Sequence, residues 1–320
     1  MNKILNIFKF CFPYAVIFIF IYFIYNYYQK NLNEFSFLSN IKKEYLITIC
    51  FFCFLYLITE SFILLIIVKH FKKKIFIHKS FFVICITYLF NTFLQFSGLG
   101  FRAYYLKRFL KINIFDFLFI SILFIYIELL VFSFLGFIGI TFIDLFNREV
   151  SLVNELKYIL FSISLVMSFI LFFNKKIINF FINLNYFNKI KLIKKLHVFI
   201  SDRKNVDIFI SLKKVAFLYT SQFIILSAIF FVGYIILDKD NLLLLSVIAS
   251  TFTDFSFIFT FTPYAIGISE TFLYVSNFNF NLKISEILFL SNIFRLSMFV
   301  VYFPIGILYF LVFIGFKNDK

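Results

Sequence analysis

The chain has 320 residues, 62% of them hydrophobic, a formal net charge of +15 and a mean hydropathy of +0.98. A water-soluble domain of this size could not hide so much apolar surface, so lipid is the solvent for most of the chain. The positive charge sits in short loops between apolar runs, where membrane topology already explains it, and no nucleic-acid partner is expected.

In chain order, Lys3 and Lys9 precede a long apolar run that ends in YNYYQK. The run is too long for a signal-peptide core and has no small-residue cleavage site, so it reads as an uncleaved first span, residues 10–28. Further spans are expected at 45–68, 114–143, 156–173, 215–237, 242–262 and 284–315, with an ambiguous apolar stretch at 80–97. Nothing in these runs shows the short alternating strands of a membrane barrel. The fold class is therefore all-α, a polytopic integral membrane protein of about 7–8 transmembrane helices.

Phenylalanine reaches 58 residues and tryptophan is absent, so an aromatic stripe here is lipid-facing bulk, and the rare Gly, Pro and buried charges are more informative. Cys11, Cys50, Cys53 and Cys85 all lie in apolar runs. Cys50-x-x-Cys53 has a redox or metal spacing but lacks a second ligand pair, so the four read as small packing residues. No metal or cofactor is expected.

Topology follows from the lysines. Residues 69–79 hold five of them and no acid, and the connection 174–214 holds ten Lys/Arg against Asp202 and Asp207. Both loops belong on the cytoplasmic side, with a cytoplasmic N-terminus in a cell membrane. That parity works if 80–113 enters and returns on one side as a re-entrant segment. Irregular backbone at such depth must be buried or line a wet cavity. Here the segment supplies Gln95, Gly98, Gly100, Arg102 and Tyr104. Residues 263–283 are built similarly, with Pro263, Gly267 and Glu270. A shift of 170 positions pairs Ser121 with Ser291, Tyr104 with Tyr274 and Asp116 with Glu286, which suggests repeats at 80–143 and 250–315 within a single domain, 1–320. Residues 174–200 carry a helical stripe, Ile193, Leu196 and Ile200, among lysines. That reads either as an interfacial helix or as a solvated basic loop.

Ionisable groups deep in spans are costly unless paired or watered. They are Glu60, Glu128, Asp254, Glu270 and Arg295, with Arg102 nearer an edge. Glu60, flanked by Thr59 and Ser61, reads as locally hydrogen-bonded. For Glu128 and Asp254, an ion pair between helices and a functional polar role stand level. Arg102, Tyr104, Glu270 and Arg295 are the candidates for a lipid headgroup: Arg102 as a fork for a phosphodiester, Glu270 balancing it or pairing with an ammonium. The restart of a helix after Pro263 and Gly267 offers free N–H groups to a phosphate.

Two motifs resemble the transmembrane region of the lysylphosphatidylglycerol synthases, a flippase-like family. GLGFRAYYL provides Gly98, Arg102, Ala103, Tyr104 and Leu106, and the second motif is matched by Pro263, Gly267, Glu270 and then Arg295. Pro304-Ile-Gly306 also fits, whereas Leu99 stands where the first motif has a glutamate. The resemblance implies binding and translocation of an anionic or aminoacylated phospholipid, or another lipid-linked substrate, between leaflets. Because the sequence stops at FKNDK after its last span, the aminoacyltransferase activity of the larger relatives is not expected. Two other readings are a membrane transferase using a polyprenyl-linked sugar and a non-catalytic partner of a lipid or glycan synthase. Against the transferase, the loop 29–44 offers only Glu34 and Glu44, unclustered.

Overall fold

The computed structural model describes Tyr22, residues 25–93, 96–146, 155–168, 205–258 and 265–277, Phe280, and residues 282–315. Cys11, most of the expected first span, most of the basic connection 174–214, Gln95 and Pro263 lie outside the described residues. Every regular element among the described residues is helical, and the protein is an all-α polytopic membrane protein.

A short 3-10 segment, Leu32–Asn40, leads into α1, Lys43–His70. α1 carries Glu44 in its first turn and Lys69 in its last, each charge at the end the helix dipole favours. Thr59 and Ser61 turn their hydroxyls back onto the carbonyls of Tyr56 and Leu57, so neither is occupied with Glu60.

Next come α2, Ile77–Phe93, and α3, Ser97–Leu110. The 17 residues of α2 reach about 26 Å at 1.5 Å per residue, short of a hydrocarbon core of ~30 Å. The chain then turns back at Phe96, whose φ is 62°. Asn91 Oδ1 closes the turn by accepting the Gly98 N–H at 2.8 Å. A Cβ on Gly98 would lie 2.2 Å from the Thr87 carbonyl oxygen, so only glycine allows α3 to press against α2. The segment expected to be re-entrant is thus a helical hairpin.

The long α4, Ile114–Phe146, follows, and then α5, residues 155–168, tied to it by the Tyr126 hydroxyl donating to the Met167 carbonyl. The remainder is α6, Asn205–Ile236; α7, Leu242–Ile258; α8, Ile268–Asn277; and α9, Ile284–Gly315. Among the described helices, α1, α4, α6 and α9 are long and apolar enough to cross a membrane, while α2 and α7 are shorter apolar helices.

Two halves share one order: a long helix, two short ones, and a long one. α4 and α9 begin 170 positions apart, the register that also aligns Ser121 with Ser291. Packing between the halves is reciprocal. α1 lies against α6, α4 packs on α6 and α7, and α9 packs on α1 and α2. Close approach of α9 to α2 depends on Gly306, where a Cβ would sit 3.2 Å from the Cys85 carbonyl oxygen. The hydroxyls of Thr92 and Tyr302 join across the same contact at 2.6 Å. At one end of the bundle, Lys213 and Lys214 share a groove with Ile66, near the end of α1 and the lysine-rich stretch after it. Lys213 and Lys214 therefore lie at the end of the bundle where α1 runs into its lysine-rich continuation.

Candidate functional site

The facing halves enclose a cavity of about 280 Å³. α1 contributes Tyr56, Glu60, Ile63 and Ile67, spaced to lie on one helical face. The first hairpin adds Thr87, Tyr88, Asn91, Phe96, Leu99 and Arg102. α4 adds Ser121, Phe124, Ile125 and Glu128; Tyr219, Asp254 and Phe257 come from α6 and α7; Phe294 and Met298 come from α9. Four ionisable side chains thus meet at a place the fold walls with aromatic and aliphatic groups.

Their arrangement is specific. Glu60 Oε1 accepts from Gln222 Nε2 at 3.1 Å, and Glu60 Oε2 lies 3.7 Å from Arg102 Nη2. Arg102 Nε donates to Thr87 Oγ1 at 3.0 Å, and Thr87 donates in turn to the Val83 carbonyl at 2.8 Å. Arg102 is held by both α1 and α2. On the other wall stand Glu128 of α4 and Asp254 of α7. Asp254 is 4% exposed, and its Oδ2 receives no N–H or O–H donor among the described residues. Three carboxyl groups face one guanidinium. Among the described residues no group of three or more His, Cys, Asp and Glu is placed to hold a metal ion.

Glu270 and Arg295 are elsewhere. Glu270 Oε1 accepts from Arg295 Nη1 and, at 2.9 Å, from Ser291 Oγ. Its Oε2 accepts from the Gly267 N–H at 2.8 Å, Ser269 Oγ at 3.2 Å and Arg295 Nη2 at 3.2 Å. Arg295 Nη2 also donates to the Ala265 carbonyl at 3.1 Å and to Ser269 Oγ. Gly267, at φ 86°, provides the left-handed turn that brings its own N–H to the carboxylate. This corrects two expectations. The helix N-terminus that looked open to a phosphate is capped by the chain's own Glu270, and Arg102 pairs with Glu60 rather than with Glu270. Neither Glu270 nor Arg295 lines the cavity. Both are almost fully buried and joined by an ion pair and several hydrogen bonds, a geometry that locks the turn before α8 onto α9.

Other expected residues divide. Arg102, Glu128 and Asp254 come together. Tyr104 does not join them: it faces an outer groove with Gly100, where its hydroxyl accepts from Arg108 Nη1 at 2.6 Å. Gly98 shapes the hairpin. Glu60, read from sequence as locally satisfied, is instead the hub of the cavity's polar network. The signal for it was present in the stripe Tyr56, Glu60, Ile63, Ile67, which places a carboxylate on a packed helical face. Gln222 had no such signal; its amide is fully buried and meets Glu60 from α6. Cys50, Cys53 and Cys85 are free thiols.

Comparison with protein-family models, with curated proteins and with solved structures finds no match to this chain.

Proposed function

We propose that the protein is a flippase-like lipid-handling protein of the cell membrane, with a cytoplasmic N-terminus. In this reading it binds the headgroup of a phospholipid or lipid-linked substrate in the interior cavity and passes it between leaflets while the acyl chains stay in the bilayer. The observation that carries the reading is the convergence of Glu60, Arg102, Glu128 and Asp254 on one cavity inside an apolar bundle. Such groups cost several kcal/mol on insertion scales, about 2.5–3.5 for Asp at a helix centre, and a chain keeps them where something polar must pass. Two halves of the same helix order, packed reciprocally around that cavity, suit alternating exposure of a central site. The resemblance of GLGFRAYYL and of the Gly267–Glu270–Arg295 set to the lysylphosphatidylglycerol synthase membrane region supports the same reading.

Charge selects within the lipid classes. Arg102 suits a phosphodiester, and the excess of carboxyl groups favours a headgroup that also carries an amine, aminoacylated or zwitterionic, over a purely anionic one. The test is reconstitution in liposomes with fluorescent phospholipids of anionic, zwitterionic and aminoacylated headgroup, scoring loss of outer-leaflet protection. Headgroup-dependent translocation is expected to drop about tenfold or more in Arg102→Ala and in Glu128→Gln, equivalent to ~1.4 kcal/mol of barrier. Equal slow leakage from wild type and both variants, all correctly folded, would sink the proposal.

A further inference from the structure

A second concavity opens on the outer side of the first hairpin, between α3 and α4. Leu99, Gly100 and Ala103 form one wall, Leu118 stands opposite, and Lys107 and Arg108 mark one end. Leu99 also lines the polar cavity, so one side chain is the partition between the two spaces. Gly100 sits in the middle of this wall. Its φ does not require glycine, and a Cβ added there would meet nothing within 4 Å. Glycine weakens a helix interior; here it leaves room along the groove.

The basic end is shaped as well. Arg108 donates to the Tyr104 hydroxyl and lies 5.9 Å from the Tyr104 ring centroid and 5.7 Å from that of Phe109. These contacts hold the guanidinium at the mouth of an otherwise apolar slot. Lys107 and Arg108 are exposed and make no ion pair with an acid among the described residues. They fall in the last turn of α3, at the end of the hairpin where α2 begins and the lysines of residues 69–79 gather. Two cations at one end and an aliphatic channel of about two helical turns leading inward complement a phosphate with a hydrocarbon tail.

Building on the lipid-handling reading above, we infer that this groove is a docking slot for one phosphate-bearing diacyl lipid. The phosphate rests on Lys107 and Arg108, one acyl chain runs past Gly100, and the slot ends at Leu99, the wall of the polar cavity. It holds a lipid of the basic-side leaflet beside the cavity before its headgroup enters.

The test places the full chain in nanodiscs containing a small fraction of phosphatidylglycerol with a photoactivatable diazirine at the end of one acyl chain. A diacylglycerol carrying the same chain is the control probe. Mass spectrometry of labelled peptides is expected to find residues 97–118 labelled about tenfold more by the phosphatidylglycerol probe than by the control. That preference should vanish in Gly100→Phe, which fills the slot, and persist in Gly100→Ala. It should also vanish in the double variant Lys107→Ala/Arg108→Ala, whose exposed positions leave the packing intact should Gly100→Phe misfold. Equal labelling by both probes, or labelling indifferent to these variants, overturns the slot and marks ordinary boundary lipid. Translocation is scored separately in liposomes: phosphate-selective labelling without any translocation refutes the flippase reading and leaves the slot standing.

Discussion

The two hairpins make the most instructive comparison in this molecule. In the second half, Glu270 on α8 and Arg295 on α9 close on each other, with Ser291, Ser269, Gly267 and Ala265 taking the remaining hydrogen bonds. Shifted back by the 170 positions that separate the starts of α9 and α4, the same places hold Gly100, Ile125 and Ser121. Gly100 lines the outer groove, and Ile125 and Ser121 line the cavity. One arrangement of short and long helices therefore serves two purposes. Where the charges are present the seam is sealed, and where they are missing it is open on both of its faces. A pair that looked like a binding site from sequence fastens the second hairpin to α9, while of the four charged groups around the cavity Glu60, Arg102 and Glu128 come from the first half and Asp254 from the second.

Breaking the fastening should have the largest effect. Arg295→Met leaves the buried Glu270 carboxylate without its cation, and a loss of about 3–5 kcal/mol is expected, read as a lowered midpoint in helical circular dichroism melts. Replacing both partners, Arg295→Met with Glu270→Leu, should recover much of that loss, because no lone charge remains. Full recovery of transport by the double variant would support a purely structural role for the pair. In the open half, Arg102→Met should cost less stability, since Arg102 keeps only a 3.7 Å approach to Glu60 and a bond to Thr87, yet it should abolish translocation.

Two glycines separated by a single residue, Leu99, sharpen the contrast further. Gly98→Ala drives a methyl group into the Thr87 carbonyl and should destabilise by about 1–3 kcal/mol as the hairpin is forced apart. Gly100→Ala meets open space and should stabilise α3 by about 0.5–1 kcal/mol. A destabilising Gly100→Ala would show that the groove is narrower than its geometry implies.

Much of the fold was legible in the sequence because it follows from hydropathy and charge alone. The expected span 114–143 is α4, Ile114–Phe146, and 284–315 is α9, Ile284–Gly315. Lysine parity called for a chain that returns on itself after residue 80, and α2 and α3 form that hairpin. Partner choice was not legible. Whether Glu270 meets Arg102 or Arg295 depends on how far each helix is rotated about its axis and which helices become neighbours, and neither quantity is written in local composition. Glu60 failed for a related reason: its flanking hydroxyls bond to their own helix, so the carboxylate is free to reach α3 and α6. Gly98 and Gly100 looked alike as turn-formers, and only their surroundings separate a contact from a space.

Reciprocal packing has a consequence for how the protein is made. α2 is inserted early, but the helix that covers it, α9, is synthesised last among the described elements, and so are Phe294 and Met298, which complete the cavity wall. Until then Thr92 lacks Tyr302, and Glu60 and Arg102 border an unfinished chamber. The first half therefore lacks part of its cavity wall until the final described helix is in place. Ribosomes stalled ahead of α9 would leave polar groups of the hairpin facing lipid, the kind of surface that membrane proteases and insertion chaperones recognise.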